Sequence, residues 1–445
     1  LQTLAQLKAG QLNGIKRLQL VEELTQFPQE IFDLADSLEI LDLSNNKLSS
    51  LPEDLYRLHQ LKILFISNNE FEHLPNALGK CPKLEMIGFK ANKIKTIADN
   101  ALPVQTRWLI LTDNKIEKLP NNIGKLHRLQ KLALAGNELT KLPDTMANCK
   151  NLELIRLSAN KLKALPDWLI QLPKLAWFAC SGNDFNANTS NNSQVAQVKL
   201  TDFELTQQIG EGASGCIHKA KWLNQPNSLT GTSQDIAVKL FKGEVTSDGY
   251  PQDELNCCLT AGEHPNLIKV IGKIAQTNQL GLVMELIPST YGNLGLPPSL
   301  KTCTRDTFET NTSFSISEIL KITIQMSTTL AHLHKNKVSH GDIYAHNTMF
   351  NNRCDMLFGD FGAATDLSGL TRIQQEAIES IEVRAFGCLL DDLLSLNNEN
   401  NLVVDQLYKI KDNCMQQITS QRPKFAEIHQ VLSGITHSLI QMTVE

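Results

Sequence analysis

Asp342, Asn347 and Asp360 are the residues of this chain whose types and spacing can do chemistry. Asp342 closes the triplet His340-Gly341-Asp342, Asn347 follows five positions later, and Asp360 opens Asp360-Phe361-Gly362 eighteen positions after Asp342. A positioned carboxylate can take or orient a hydroxyl proton, and a carboxamide with a second carboxylate can hold magnesium against phosphate oxygens. Upstream stand Gly210-Glu211-Gly212-Ala213-Ser214-Gly215, a G-x-G-x-x-G run followed by Ile217, and Ile236-Ala237-Val238-Lys239, a β-branched run ending in lysine. Glycines let a hairpin backbone close over phosphates without side-chain clashes. The set can position ATP, Mg2+ and an acceptor hydroxyl for phosphoryl transfer.

These motifs resemble the protein-kinase signature set, with glycine at position 341 where most protein kinases carry arginine. The resemblance implies roles: Asp342 and Lys239 as catalytic residues, Lys239 holding the α- and β-phosphates, and Asn347 with Asp360 as magnesium ligands. The stretch DELNCCLTAGEHPNLI resembles the kinase helix that runs into an H-P-N turn. Glu254 is then expected to steady Lys239, with the adjacent Asp253 left open. Gly281-Leu282-Val283-Met284-Glu285-Leu286 resembles the strand and hinge under which adenine lies, so backbone groups of Glu285 and Ile287 are expected to read the purine edge. The implied ATP-binding set is Gly210, Gly212, Gly215, Ile217, Ala237, Lys239, Glu254, Met284, Glu285 and Ile287. Glu382-Val383-Arg384-Ala385-Phe386-Gly387 resembles the buried kinase helix usually reading D-V-W-S-F-G, and Arg422-Pro423 the late R-P pair.

Three departures shape the functional expectation. Gly341 cannot clamp a phosphorylated activation loop, so regulation by such phosphorylation is not expected. Tyr344 stands where serine/threonine kinases place a lysine on the γ-phosphate. Loss of a charge-stabilising donor costs about 2.7–4 kcal/mol of barrier unless another cation takes over. Tyrosine kinases also lack that lysine at this place. Only 22 residues lead from Asp360 to Glu382 and none of them forms an A-P-E triplet, so the peptide-docking region is short and Arg422 is expected to pair with Glu376 or Glu379. Three functions follow. The first is an ATP-dependent protein kinase, serine/threonine by family default. A second is a small-molecule kinase, because HGDxxxxN is also the form of aminoglycoside and choline-type phosphotransferases; the glycine loop and DFG speak against it. The third is a non-enzymatic ATP-binding scaffold, against which stands the presence of Lys239, Asp342, Asn347 and Asp360 together.

The half that carries these residues follows an array. Strand-like segments begin at Ile15, Leu38, Leu61, Leu84, Thr106, Leu129, Leu152 and Leu175, in steps of 23 residues with one step of 22. Their pattern L-x-x-L-x-L-x-x-N-x-L is that of a leucine-rich repeat. Leu41, Leu64 and Leu132 are expected inside, each layer burying its leucines against the next. The recurring Asn46, Asn69, Asn92, Asn114, Asn137, Asn160 and Asn183 are expected to satisfy backbone groups between layers. Alternation along the strands gives an outward, apolar-rich concave face, and Ile63, Phe65, Met86, Trp108, Ile110, Arg156 and Trp177 are its candidate partner-binding residues. Packing by another part of the same chain is the alternative cover for that face. Repeats that recruit a partner would compensate for a short docking region by raising its effective concentration.

The expected fold is therefore an α/β leucine-rich-repeat solenoid followed by an α+β two-lobed protein-kinase-like domain. Its parts are residues 1–184 (repeats with an N-terminal cap), an asparagine- and serine-rich linker at 185–199, and 200–445. The stretch WLNQPNSLTGTSQD is expected to enlarge the hairpin between the glycine loop and Lys239. The chain as a whole resembles the bacterial leucine-rich-repeat protein kinases. Its 445 residues, 42% apolar and 20% charged, suit two or three soluble domains, and a net charge of −5 gives no footing for nucleic acid. No apolar run is long enough to span a membrane, and the first twenty residues lack the apolar block of a signal peptide. Ten cysteines without CxxC pairs suit reduced thiols and a cytoplasmic location. The first residue is Leu1 rather than methionine, as expected of a trimmed or a missing start.

Overall fold

A computed structural model describes residues 2–186, 195–212, 214–229, 231–243, 245–246, 248–276 and 279–444, with side chains as far as residue 436. The chain divides into two compact units. The first runs to Leu175 and adds Asn183–Phe185; the second comprises Ala176–Gly182 and the residues from Asn186 onward.

In the first unit a short helix, α1 (Leu4–Lys8), is capped by Thr3, whose Oγ1 accepts from Gln6 N while the Gln6 side chain accepts from Thr3 N. Seven three-residue strands follow: β1 (Arg17–Gln19), β2 (Ile40–Asp42), β3 (Ile63–Phe65), β4 (Met86–Gly88), β5 (Trp108–Ile110), β6 (Lys131–Ala133) and β7 (Leu154–Arg156). Each pairs in parallel with the next, one repeat apart. The central residue of each strand, such as Leu41, Leu64 or Leu132, is fully buried. Short 3-10 turns and one four-residue helix, α2 (Asp167–Ile170), close the other side.

The asparagines tie layers together. Asn46 Oδ1 accepts from Glu22 N and Leu24 N, and its Nδ2 donates to Leu20 O at 2.8 Å and Leu43 O at 2.9 Å. Asn69, Asn92, Asn114, Asn137, Asn160 and Asn183 repeat the arrangement. The residue before each of them takes a positive φ: Asn45, Asn68, Ala91, Asp113, Gly136, Ala159 and Gly182.

The second unit begins with β8 (Trp177–Ala179), which the 23-residue periodicity assigns to the array. Of the expected linker, residues 187–194 lie outside the described residues. Ala196–Val198 forms a strand, β9, rather than linker. It pairs in parallel with β13 (Val270–Gln276), and Val198 enters the core beside Phe203, Trp222 and Ile274. Three residues in an asparagine-rich context are too few to show a period. The remaining strands of this sheet are β10 (Phe203–Glu211), β11 (Gly215–Trp222), β12 (Asp235–Phe241) and β14 (Gln279–Glu285), in the order β10-β11-β12-β14-β13-β9. Helix α3 (Pro251–Ala261) packs against it.

Beyond the sheet the unit is mainly helical. Helices α4 (Ile316–Lys335) and α5 (Arg372–Ser395) both open with capping boxes, at Ser315/Glu318 and Thr371/Gln374. They are followed by α6 (Leu402–Cys414) and α7 (Phe425–Val444). Two short ribbons complete the unit: β15 (Gly292–Asn293), which precedes α4, with β17 (Thr348–Phe350) and β18 (Met356–Phe358), and, between α4 and α5, β16 (Val338–Ser339) with β19 (Thr365–Asp366). The fold is thus a parallel-sheet solenoid followed by a domain of mixed sheet and helices, as the sequence leads one to expect.

Candidate active site

Strand β12 runs between β11 and β14, so Lys239 lies opposite Ile217 on one side and Leu282 on the other. Pro251 starts α3, and Glu254 in its first turn forms an ion pair with Lys239, Oε1 to Nζ, both residues buried. Of the two carboxylates the sequence left open, Glu254 therefore meets the lysine. Asp253 lies beside Gly182 instead, and burial, then the charge of Asp366, push its carboxyl up to about 6. Burial opposes charge on Lys239, but Glu254 and Asp360 outweigh it and hold the ammonium protonated.

The glycine run forms the β10–β11 hairpin. Gly210 pairs with Ile217, and Gly212 N donates to Gly215 O at 2.9 Å. A Cβ on Gly215 would lie 2.4 Å from Leu240 O, whereas Gly212 faces open space, room that a phosphate needs. Ala213 lies outside the described residues. Ala237 sits opposite Met284, and the backbone leaves the sheet at Glu285, Leu286 and Ile287. A cavity of about 490 Å³ touches this hinge from the side of His264, Pro265, Ile268 and Lys269. None of Lys239, Asp342 and Asp360 lines it.

The loop between β16 and β17 carries His340, Asp342 and Asn347, and Asp360 follows β18. His340 Nε2 donates to Gly359 O at 2.8 Å and its ring stacks on Phe358 at 4.1 Å. Asn347 Nδ2 donates to Asp342 Oδ2 at 2.8 Å and to Asp342 O at 3.1 Å, which leaves the amide oxygen out of both bonds. Asp360 has a φ of +60° and is exposed, while Phe361 beside it is buried. The charge of Asp360 acts on both Lys239 and His346. Asn347 and Asp360 carry hard oxygen donors of the kind that would suit magnesium. Among the described residues no cluster of three or more acidic, histidine or cysteine side chains forms a self-sufficient metal cage.

Two supports of this loop are not evident from motif spacing. His346 Nδ1 meets Asp306 Oδ1 at 2.6 Å, and its backbone N donates to Asp306 Oδ2 at 3.2 Å. Burial opposes charge on this imidazole, but Asp306, and then Asp342 and Asp360, hold its pKa above the ordinary value. The second support is Glu382 of α5. Its Oε1 accepts from Gly341 N at 2.6 Å and its Oε2 pairs with His334 Nε2. The D-V-W-S-F-G-like stretch marked this helix, though not the histidine it serves.

His334 is buried between Glu382 and Glu379, the latter at 3.6 Å. Burial works against its charge, but the two carboxylates raise its pKa from 6.5 to about 9. The folded state therefore binds this proton more tightly than the unfolded chain. The resulting stabilisation, at most about 3 kcal/mol, is complete below pH 6.5 and is lost as pH rises through 9. Urea unfolding of His334→Gln is expected to show lower stability at pH 7 and a flatter slope between pH 6.5 and 9 than the parent. Parallel slopes would contradict this assignment.

Other expectations need correction. Arg422 does not pair with Glu376 or Glu379: it donates to Gln416 O at 2.8 Å and Ser380 O at 2.9 Å. Glu376 pairs with Arg372 and Lys424, and Glu379 faces His334. On the strand face, Phe65, Trp108 and Ile110 are half-buried, but Ile63, Met86 and Arg156 are buried. Neighbours in one row lie one strand apart and cover each other, as Ile63 does Met86 and Met86 does Trp108, while Lys131 lies over the Trp108 ring at 4.4 Å. Trp177 is 2% exposed, because its own unit covers it. Its indole stacks on Tyr344 with centroids 4.7 Å apart.

Residues 203–397 match the family described as protein tyrosine and serine/threonine kinase. Leucine-rich-repeat matches cover 13–71, 36–94, 104–162 and 127–185. Fibroblast growth factor receptor 1 of Xenopus laevis is 23% identical over 54% of this chain and 35% of its own length. The probable serine/threonine-protein kinase gdt4 of Dictyostelium discoideum is 26% identical over 42% of this chain and 10% of its own. The chain thus spans about a third or less of the length of these relatives. A solved leucine-rich-repeat protein of Leptospira interrogans is 27% identical over 41% of this chain and 53% of its own, with a TM-score of 0.36. This chain therefore carries leucine-rich repeats and a protein tyrosine/serine-threonine kinase domain.

Proposed function

We propose that this protein is an ATP- and Mg2+-dependent protein kinase, serine/threonine by default, whose repeats recruit the protein it modifies or answers to. One observation carries the reading most: the Lys239–Glu254 ion pair is formed, and Asp360 acts electrostatically on that same lysine. The family implies ATP, and the residues fit it. Lys239, held in place by Glu254, would carry the α- and β-phosphates under the Gly210–Gly215 hairpin, with adenine against Ala237, Met284 and the hinge at Glu285 and Ile287. Asn347 and Asp360 would hold magnesium, which neutralises charge on the phosphate oxygens. Asp342, fixed by the Asn347 amide, would orient the acceptor hydroxyl and take its proton. Tyr344 carries no cation; at His346 in the same loop, burial opposes charge and Asp306 raises the pKa against it.

Recruitment is assigned to the repeats because only the short stretch Phe361–Thr371 lies between Asp360 and α5. Phe65, Trp108 and Ile110 are half-buried apolar residues there for a protein partner. That same short stretch supports, as the second reading, a small-molecule acceptor, which needs no docking shelf. The ten cysteines, none of them in a disulfide among the described residues, support a reducing, cytoplasmic setting. Among the described residues no helix is long and apolar enough to cross a membrane.

Asp360→Asn tests the assignment. Transfer from Mg-ATP is expected to fall at least about a hundredfold, while metal-free ATP binding, followed with a fluorescent analogue, stays within twofold. Transfer at the parent rate would contradict it.

A further inference from the structure

Ala176–Gly182 makes an unusual set of contacts inside the second unit. Trp177 Nε1 donates to Ile343 O at 2.9 Å, and its ring lies flat on Tyr344, 3° from parallel. Cys180 N donates to Thr365 Oγ1 at 3.2 Å, and Ser181 Oγ donates to Ala364 O at 2.5 Å. Phe178 O approaches Gly341 so closely that a Cβ there would lie 2.7 Å away. At the end of the segment, a Cβ on Gly182 would lie 2.7 Å from both Asp253 Oδ2 and Tyr250 Cδ2, at the start of α3. Seven residues thus touch the loop that carries Asp342, the stretch after Asp360-Phe361-Gly362, and the helix that supplies Glu254.

Two glycines show that this contact is built into the sequence. Gly182 falls at the positive-φ position of the repeats, where Asn45, Asn68, Ala91, Asp113 and Ala159 manage with a side chain. Backbone conformation alone does not demand glycine there; the approach of α3 does. Gly341 has a φ of +74° and is hemmed in by two backbone carbonyls, one of them from this segment.

We propose that Ala176–Gly182 is the positioning element of the catalytic unit, holding the Asp342 loop, residues 363–366 and the start of α3 in the arrangement that pairs Lys239 with Glu254. The assembly then requires no phosphate on the short stretch after Asp360. This inference rests on the kinase reading of the site. Trp177 and Gly182 are positioning residues, because their neighbours Ile343, Tyr344, Tyr250 and Asp253 are not among the residues assigned to ATP, metal or proton transfer.

The test uses the full chain with Gly182→Asn, a residue the backbone accepts at Asn45 and Asn68, and Trp177→Phe, which keeps the stack and loses the N–H donor. Hydrogen exchange is expected to quicken at least about tenfold at 250–256, 340–347 and 363–366, with the repeats and α7 unchanged. Where the parent transfers phosphate, kcat should fall roughly 10–100-fold in Gly182→Asn, with a smaller loss of ATP affinity. Parent-like exchange in both variants, or a loss of protection spread over the whole unit, overturns the proposal; so does an unaltered kcat. A parent that transfers nothing defeats the kinase reading, and the exchange pattern alone then decides the positioning role.

Discussion

Gly341→Arg, which installs the residue most protein kinases carry, is expected to damage this protein rather than improve it. At position 341 a side chain must adopt a φ of +74°, a strain of about 1–3 kcal/mol. Its Cβ would also stand 2.4 Å from Ala363 O and 2.7 Å from Phe178 O. Both are backbone atoms, so no rotamer change relieves the contact, and overpacking adds about 1–3 kcal/mol. The loss, roughly 2–6 kcal/mol, is a large part of the stability of an ordinary domain. A fall of about 5–15 °C in melting temperature is expected by calorimetry. Gly341→Ala should show most of it, because the collision is with Cβ. An arginine variant as stable as the parent and more active would contradict this account of the glycine.

Glu382→Ala is the second large effect. One buried carboxylate serves two donors, Gly341 N and His334 Nε2. Removing it withdraws an acceptor from a backbone N–H and the counter-charge from a buried imidazole, a change that typically costs about 3–5 kcal/mol. The loop bearing Asp342 loses its anchor as well, so turnover in whatever fraction stays folded should drop roughly a hundredfold. Glu382→Gln keeps an acceptor for Gly341 N but turns its amide donor toward His334, and should fall between parent and alanine. Urea unfolding checks the order. A Glu382→Ala protein within about 1 kcal/mol of the parent would show that α5 does not support the loop in this way.

The fold was legible where a period or a motif carries it. Steps of 23 residues announce the array, and its buried leucines and asparagine ladder follow from the pattern alone. The cleft was legible because its residues are read in order along the chain, yet sequence left Asp253 and Glu254 unresolved. Only the phase of α3 against β12 separates them. What covers a strand face cannot be read from alternation, which tells the side on which Trp177 lies and not that Tyr344 lies upon it. Partner choice at Arg422 failed for a related reason: nearness in sequence suggested carboxylates, while the fold offers carbonyls of Gln416 and Ser380. Gly341 read as a lost phosphate clamp, because neither its φ nor the approach of Phe178 is visible from residues so far apart in the chain.

Following the label from γ-labelled ATP tests the central claim most directly. The pure protein is incubated with magnesium and a protein mixture, in parallel with a metabolite mixture, beside Asp342→Ala and Asp360→Ala. The account predicts label on protein, its own or added, and none in either variant. Label confined to metabolites, or no transfer at all despite ATP binding, would contradict a protein kinase and leave a small-molecule kinase or an ATP-binding scaffold in its place.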